Sequence, residues 1–508
     1  MRDKTKRKNY LFFIGGSGAR AYSAFLHACA AGVIQTDNAH VVLLDADLTN
    51  AACSRCLKTY NAYRSHRNML QEINSPIKAF HCNVVMEDAN VISPLNKLNK
   101  DVDYLKQIAE GDATRERILK WFYTPDEISN DLKEGFYGHP NIGCIFFQNV
   151  DVNINLNKFI TSIIEDLRNG NDPRVVVVGS VFGGTGASGI PSIVKLLKEK
   201  CQKMHSSFEE MQLCGILITP YFSVPDKKEP DGKLVIRSDD FYNSTKTALH
   251  YYEYTDDFKK TYIVGQETLE PVNKTYEDGG QGQDNKPHII EAVVAMAIRD
   301  FLENDSEERI LSCIINRKDK ITWSYFGDEF YPFSDMLRTQ MILETEVYPC
   351  AIGEGDGQSP TMHGIRQWQK IYYEDLPDSK QNLKILQEYS QLFLNWMYLL
   401  QYKYELLSNN LIPDNGILLC DPRIIKILND RVERSDLSYR KPSWRKYQEI
   451  FNDLVDTSAN IEYVVKKFAS LLSAIGVGAK GYPVLGCAGL FLKLFSLSGH
   501  ILKGKDQF

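Results

Sequence analysis

The run Val175-Val176-Val177-Val178-Gly179-Ser180-Val181-Phe182-Gly183-Gly184-Thr185-Gly186-Ala187-Ser188-Gly189-Ile190-Pro191 constrains this chain more than any other stretch. Four consecutive valines predict a strand buried on both faces, as in a parallel sheet covered by helices. The glycines after it let the backbone turn tightly and approach a ligand, because no Cβ intervenes. Ser192–Glu199 then places apolar residues at helical spacing. Strand, glycine turn and helix start together aim backbone N–H groups and the positive helix end at an anion. A nucleotide phosphate is the natural candidate.

A second unit of this kind opens the chain. Tyr10–Ile14 is a short apolar strand that meets Gly15-Gly16-Ser17-Gly18-Ala19-Arg20, and Ala21–Ala31 reads as a helix. The next strand, Val41–Leu44, ends on Asp45-Ala46-Asp47. This is a βαβ unit with acids at the carboxyl end of its second strand. A tight turn explains either glycine loop taken singly; two in one chain favour phosphate binding. Neither loop ends in the Gly-Lys-Ser/Thr of a P-loop. The first has no third glycine at the dinucleotide spacing, and its acids come as a pair.

With 508 residues the chain has room for two or three domains. A net charge of -6 argues against nucleic acid as a main partner. The basic start, residues 1–8, is expected to be a solvated end rather than a signal peptide, because strand and glycine turn follow at once. Eleven cysteines lie scattered, several inside apolar runs, and predict buried reduced thiols in a cytoplasmic protein. Cys53 and Cys56 form a lone Cys-x-x-Cys with no second pair at zinc-ribbon spacing, and are read as thiols rather than a metal centre.

Helices are expected near Tyr60–Ile73, Asp103–Glu110, Ala113–Phe122, Asn157–Arg168 and Asp239–Tyr254, with a glycine- and proline-punctuated loop over Gly135–Gly143. Further buried strands are expected at Leu213–Ile218 and Thr261–Gly265. His288–Leu302 is apolar on nearly all sides and predicts a central buried helix. The expected fold is α/β: a doubly wound, mainly parallel sheet with a nucleotide at its carboxyl edge, followed by an α+β, helix-rich C-terminal region. The expected divisions are a nucleotide-binding domain over 1–304, a second α+β domain over 305–375 and a helical region over 376–508. That last region holds one long helix over Lys380–Ser408. The apolar stretch Leu471–Leu502, interrupted by Lys480 and Lys493, is expected to pack or to bind a partner rather than to span a membrane.

At this point the chain resembles the tubulin/FtsZ superfamily of GTPases, and within it the divergent bacterial tubulin-like proteins. Phe182–Gly189 is similar to the family's Gly-Gly-Gly-Thr-Gly-Ser/Thr-Gly phosphate loop, with one extra residue before the last glycine. Gly15–Arg20 falls where the family has its first phosphate loop, with Arg20 in place of an amide. Gly138-His139-Pro140-Asn141-Ile142-Gly143 resembles the loop that wraps the γ-phosphate. Thr219-Pro220-Tyr221-Phe222 resembles the segment after the fifth strand, and helix 288–302 matches the long central helix. The resemblance spans residues 10–302.

The resemblance implies GTP or GDP with Mg²⁺. Gly15, Gly16, Ser17, Gly18, Gly183, Gly184, Thr185, Gly186, Ala187 and Ser188 would contact phosphate, with Thr185 and Ser188 adding hydroxyl donors. Pro140, Asn141 and Gly143 would shape the γ-phosphate loop. Asp45 and Asp47 would hold Mg²⁺ through water, or serve as a cap or as partners of Arg20. Arg20 would otherwise meet phosphate or base. Asn243, Asn285 and His288 are base or ribose candidates, with loop or capping roles as the alternative. Tyr221 or Phe222 would cover the sugar or pack in the core. The family's hydrolytic acids follow the central helix and act on the next subunit; here Asp305, Glu307 and Glu308 take that place without the usual pattern, and Asp328-Glu329 is a second candidate.

Two functions are therefore expected in turn. The first is a nucleotide-dependent, head-to-tail polymer-forming GTPase whose partner is itself, with an adaptor reached through the C-terminal region. The alternative is a non-polymerising, catalytically weak nucleotide-binding regulator or scaffold. A Rossmann-type cofactor enzyme is the third class.

Overall fold

The computed structural model describes residues 7–71, 73, 77–87, 91–95, 104–129, 132, 135–136, 138–147, 153–223, 238–267, 270–271, 287–305, 308–315, 330–347, 372, 378–405, 476–477 and 483–500. Seven strands form the central sheet: β1 (Arg7–Ile14), β2 (Asn38–Leu44), β3 (Asn83–Met86), β4 (Asp172–Ser180), β5 (Gln212–Ile218), β6 (Lys260–Gln266) and β7 (Ile310–Ile315). Their order is β3-β2-β1-β4-β5-β6-β7, and every pairing is parallel. The strand order reverses between β1 and β4. In such sheets the crevice at the carboxyl ends of the reversing strands is where ligands bind.

The valine run supplies the middle of β4. Val175 and Val177 face one core and Val176 and Val178 the other, all fully buried, as the period of two requires. Each such burial is worth roughly 1.5–3 kcal/mol. On one face lie α1 (Gly15–Ala31), α2 (Ala51–Leu70) and α10 (Ile289–Glu303). The same core includes residues of α11 (Tyr331–Ile342), α12 (Ser379–Glu405) and α13 (Gly486–His500). On the other face lie α3 (Tyr104–Ala109), α4 (Ala113–Phe122), α6 (Pro140–Phe147), α7 (Ile154–Arg168) and α8 (Gly184–Lys203), with the short α5 (Pro125–Ser129) between α4 and α6. Leu249 and Tyr252 of α9 (Ser238–Tyr254) pack against this second core. The central helix α10 is buried as its composition predicts.

Three segments differ from expectation. The glycine runs are not loops but the first turns of helices: α1 begins at Gly15 and α8 at Gly184. Their glycines serve close packing. A Cβ on Gly18 would lie 2.9 Å from the Phe13 carbonyl carbon, and one on Gly186 would lie 2.4 Å from the Ser180 oxygen. Pro191 lies inside α8, where the Ser188 and Ser192 hydroxyls bond back to Gly184 O (2.6 Å) and Ser188 O (2.7 Å). The expected loop over 135–143 is helical from Pro140, because proline presets the first helical residue and Ile142, Phe146 and Phe147 become buried.

Residues 310–315, beyond the expected division at 304, pair with β6 as the edge of the same sheet. Tyr389 of α12 meets His27 of α1, and Phe491 of α13 meets His66 of α2. No helix among the described residues is long and apolar enough to cross a membrane.

Candidate functional site

Four helix N-termini meet at the carboxyl edge of β1, β2 and β4. The turns of α1 and α8 abut: a Cβ on Gly15, whose φ is +75°, would lie 3.4 Å from the Gly186 nitrogen and 3.4 Å from Thr185 Cβ. The start of α8 abuts the approach to α6, since a Cβ on Gly184 would lie 3.2 Å from the His139 nitrogen. Within these helices a Cβ on Gly143 would run into Ser188 Oγ at 2.2 Å. Asn50 caps α2 by accepting from Ala52 N at 2.8 Å, and its Nδ2 lies 3.0 Å from where a Cβ on Gly16 would be. The first-turn N–H groups of a helix have no partner within it, and its N-terminus carries partial positive charge. Gly15–Gly18 and Gly183–Ser188 are thus brought together, with Pro140, Asn141 and Gly143 beside them.

Asp45 and Asp47 stand at the end of β2, each 3% exposed. Asp45 accepts from Cys53 Sγ at 3.4 Å and from Asp47 N at 3.3 Å. Asp47 accepts from Thr49 N at 2.9 Å and Thr49 Oγ1 at 2.7 Å. Burial, with Asp47 beside it, pushes the Asp45 carboxyl up to about 7. Two carboxylates side by side are an arrangement whose charge a cation between them would offset. Among the described residues no group of three or more His, Cys, Asp or Glu side chains is arranged to hold a metal by itself.

Arg20 turns away from β2. Its Nε donates to Glu291 of α10 at 2.9 Å and its Nη2 to Ser17 Oγ at 3.0 Å; Tyr221 OH also accepts from it. Arg20 is 7% exposed and Glu291 1%. Burial raises the Glu291 carboxyl above its ordinary range, against the pull of Arg20 and Arg55. Its Oε2 has no hydrogen-bond partner among the described residues. His288 caps α10, its Nδ1 accepting from Ile290 N at 3.1 Å, and its ring lies 4.9 Å from Tyr221. Tyr221 and Phe222 pack with Phe182 as a buried aromatic cluster.

The remaining candidates stand apart. Asn243 is exposed on α9, where it lines a groove of about 870 Å³ against β5, β6 and β7 that no glycine-turn residue lines. Asp305 sits at the amino end of the sheet. It pairs with Arg174 of β4 and with Arg7 of β1, the latter at 2.7 Å. Arg174 also donates to the carbonyls of Phe301 and Asn304, closing the end of α10. Slight burial opposes its charge, yet Arg174 and Arg7 hold the Asp305 carboxyl down at about 2. Glu308 is exposed. Asn285, Glu307, Asp328 and Glu329 lie outside the described residues.

Sequence reasoning passed over Asn50, Glu127, His139 and Glu291. Asn50 carried a helix-cap signal just ahead of Ala51. Glu291 carried none, because its partner is 271 residues away. A scan against protein-family models and a search of curated proteins found no match to this chain.

Proposed function

We propose that this chain binds a nucleoside triphosphate and Mg²⁺ in the crevice between β1 and β4. GTP or GDP is the nucleotide that the tubulin-like reading of its loops implies. The convergence of the α1, α2, α6 and α8 N-termini at the strand-order reversal supports this reading, because it gathers positive dipole ends at the edge of the sheet where ligands bind in such folds. Asp45 and Asp47 would carry the hydrated Mg²⁺. On the same reading the protein is cytoplasmic and assembles head to tail, a heterologous contact that does not close.

Fluorescent GTP analogues titrated into the full chain with Mg²⁺ test the binding, and pelleting with GTP, GDP or no nucleotide tests the assembly. Saturable, Mg²⁺-dependent binding that is weakened in Asp47→Asn, with the fold checked by circular dichroism, is the expected result. Absence of binding by any nucleotide at millimolar concentration would overturn it. The engagement of Asp305 with Arg174 and Arg7 favours a second reading, a nucleotide-binding regulator or scaffold that does not polymerise. Binding without nucleotide-dependent pelleting would select it.

A further inference from the structure

Glu127 of α5 is 8% exposed, and each of its oxygens is engaged. Oε2 accepts from Thr124 N at 2.8 Å and Thr124 Oγ1 at 3.1 Å. Oε1 accepts from Asn141 Nδ2 at 2.9 Å and lies 3.4 Å from His139 Nδ1. Partial burial opposes its charge, but the bonds from Asn141 and Thr124 keep the carboxyl below its ordinary range. Glu127 is thus a fixed anion behind an imidazole. His139 is half-buried, its side chain 31% exposed, so solvent reaches it. Its backbone nitrogen is held by Phe136 O at 2.8 Å, against the Gly184 turn. A carboxylate at Nδ1 favours the tautomer with its proton there, which leaves Nε2 as the acceptor.

We infer that His139, oriented by Glu127, is the general base for hydrolysis of the terminal phosphoanhydride within a single subunit. This rests on the nucleotide reading above. In the step, a water oxygen forms a bond to the terminal phosphorus, and the bond from that phosphorus to its bridging oxygen breaks. The bridging oxygen leaves with the electron pair as the nucleoside diphosphate. The water proton passes to His139 Nε2 and then to solvent, and the imidazolium formed is stabilised by Glu127. General bases of this kind contribute roughly 10²–10⁴-fold. The step draws its base from the same subunit, whereas Asp305, at the amino end of the sheet with Arg174 and Arg7, could act only on a neighbouring subunit.

The test uses the full chain with GTP and Mg²⁺, reading nucleotide affinity and phosphate release in parallel. The wild type is expected to release phosphate at a rate per subunit that does not depend on protein concentration. His139→Asn, which keeps a group near Glu127 but removes Nε2, is expected to bind GTP within about threefold of wild type and to lose phosphate release about 100-fold or more, in kcat rather than KM. If His139→Asn binds poorly, His139→Ala is assayed with added imidazole, and restored release supports the assignment. Unchanged release in His139→Asn, no rescue by imidazole, or a specific activity that rises with protein concentration would each overturn it while the binding reading stands. A wild type that binds GTP without releasing phosphate would also overturn it. A wild type that binds no nucleotide would instead remove the reading beneath it.

Discussion

Single side chains in this protein carry opposed pH demands. His27 and His66 are fully buried, and desolvation alone lowers each from 6.5 to about 3. His27 Nδ1 has Tyr389 OH at 3.1 Å, whereas neither ring nitrogen of His66 has a partner among the described residues, its ring lying 4.0 Å from that of Phe80. A histidine that stays neutral when folded stabilises above its unfolded pKa. That stability is lost as pH falls from 6.5 toward 3, on the order of 5 kcal/mol for each. His66→Leu is therefore expected to raise unfolding free energy by about 1 kcal/mol at pH 7 and to flatten the acid limb, measured by urea titration at several pH values. A loss of stability at neutral pH would count against this account. Asp45 has the other sign. Its carboxyl is raised to about 7, so the folded state binds the proton more tightly and stability falls as pH rises from 3.8 to 7. Asp45→Asn is expected to stabilise the protein at pH 8 without Mg²⁺, and much less at pH 4. A thermal melt at the two pH values checks it; equal shifts at both would show that the ionised form is not the cause.

At the level of the element, each helix is held by what lies at its ends. The C-terminus of α10 has no glycine cap. Asn304 is extended, and Arg174 supplies the donors instead. Arg174 also faces Asp172 at 3.8 Å, which is 5% exposed. Arg174→Met should lower unfolding free energy by about 2 kcal/mol, because it takes the donor from the last carbonyls of α10, while Asp172 keeps Arg7 at 3.3 Å. Asp305 is half exposed, so Asp305→Ala should remove less than about 1 kcal/mol. Equal losses in a denaturant titration would show that the two act only as a pair. The same logic explains why the glycine turns are helical. Their strands leave no volume for a Cβ at Gly18 or Gly186, so the glycines permit the helix to start against the sheet rather than loosen the chain.

Among the described residues, packing crosses the point where composition changes. The face of the sheet that carries α1, α2 and α10 is closed by α11, α12 and α13, through Tyr389, Phe393 and Trp396 around His27 and through Phe491 against Phe80 and His66. The edge strand β7 lies beyond residue 304 as well. A chain cut to residues 1–304 would expose this apolar face. It is expected to be insoluble or to melt well below the full chain, as judged by circular dichroism and gel filtration. A soluble fragment with the melting temperature of the full chain would show instead that the C-terminal helices only rest on a finished core.

Local chemistry made the strand–turn–helix units legible. Four consecutive valines suit a strand buried on both faces of a sheet, and glycine runs mark close backbone approach. From these the parallel α/β sheet and its carboxyl edge followed, and so did the central helix. Only the fold decided that the glycines begin helices, because their reason is a clash with β1 and β4 that no local pattern contains. The fold also decided that Arg20 belongs to Glu291, that Asp305 belongs to Arg174, and that His139 and Glu127 face each other beside the glycine turns. Such pairings join residues 12 to 271 positions apart, and a side chain's partner at that range depends on how strands and helices stack, not on its neighbours along the chain.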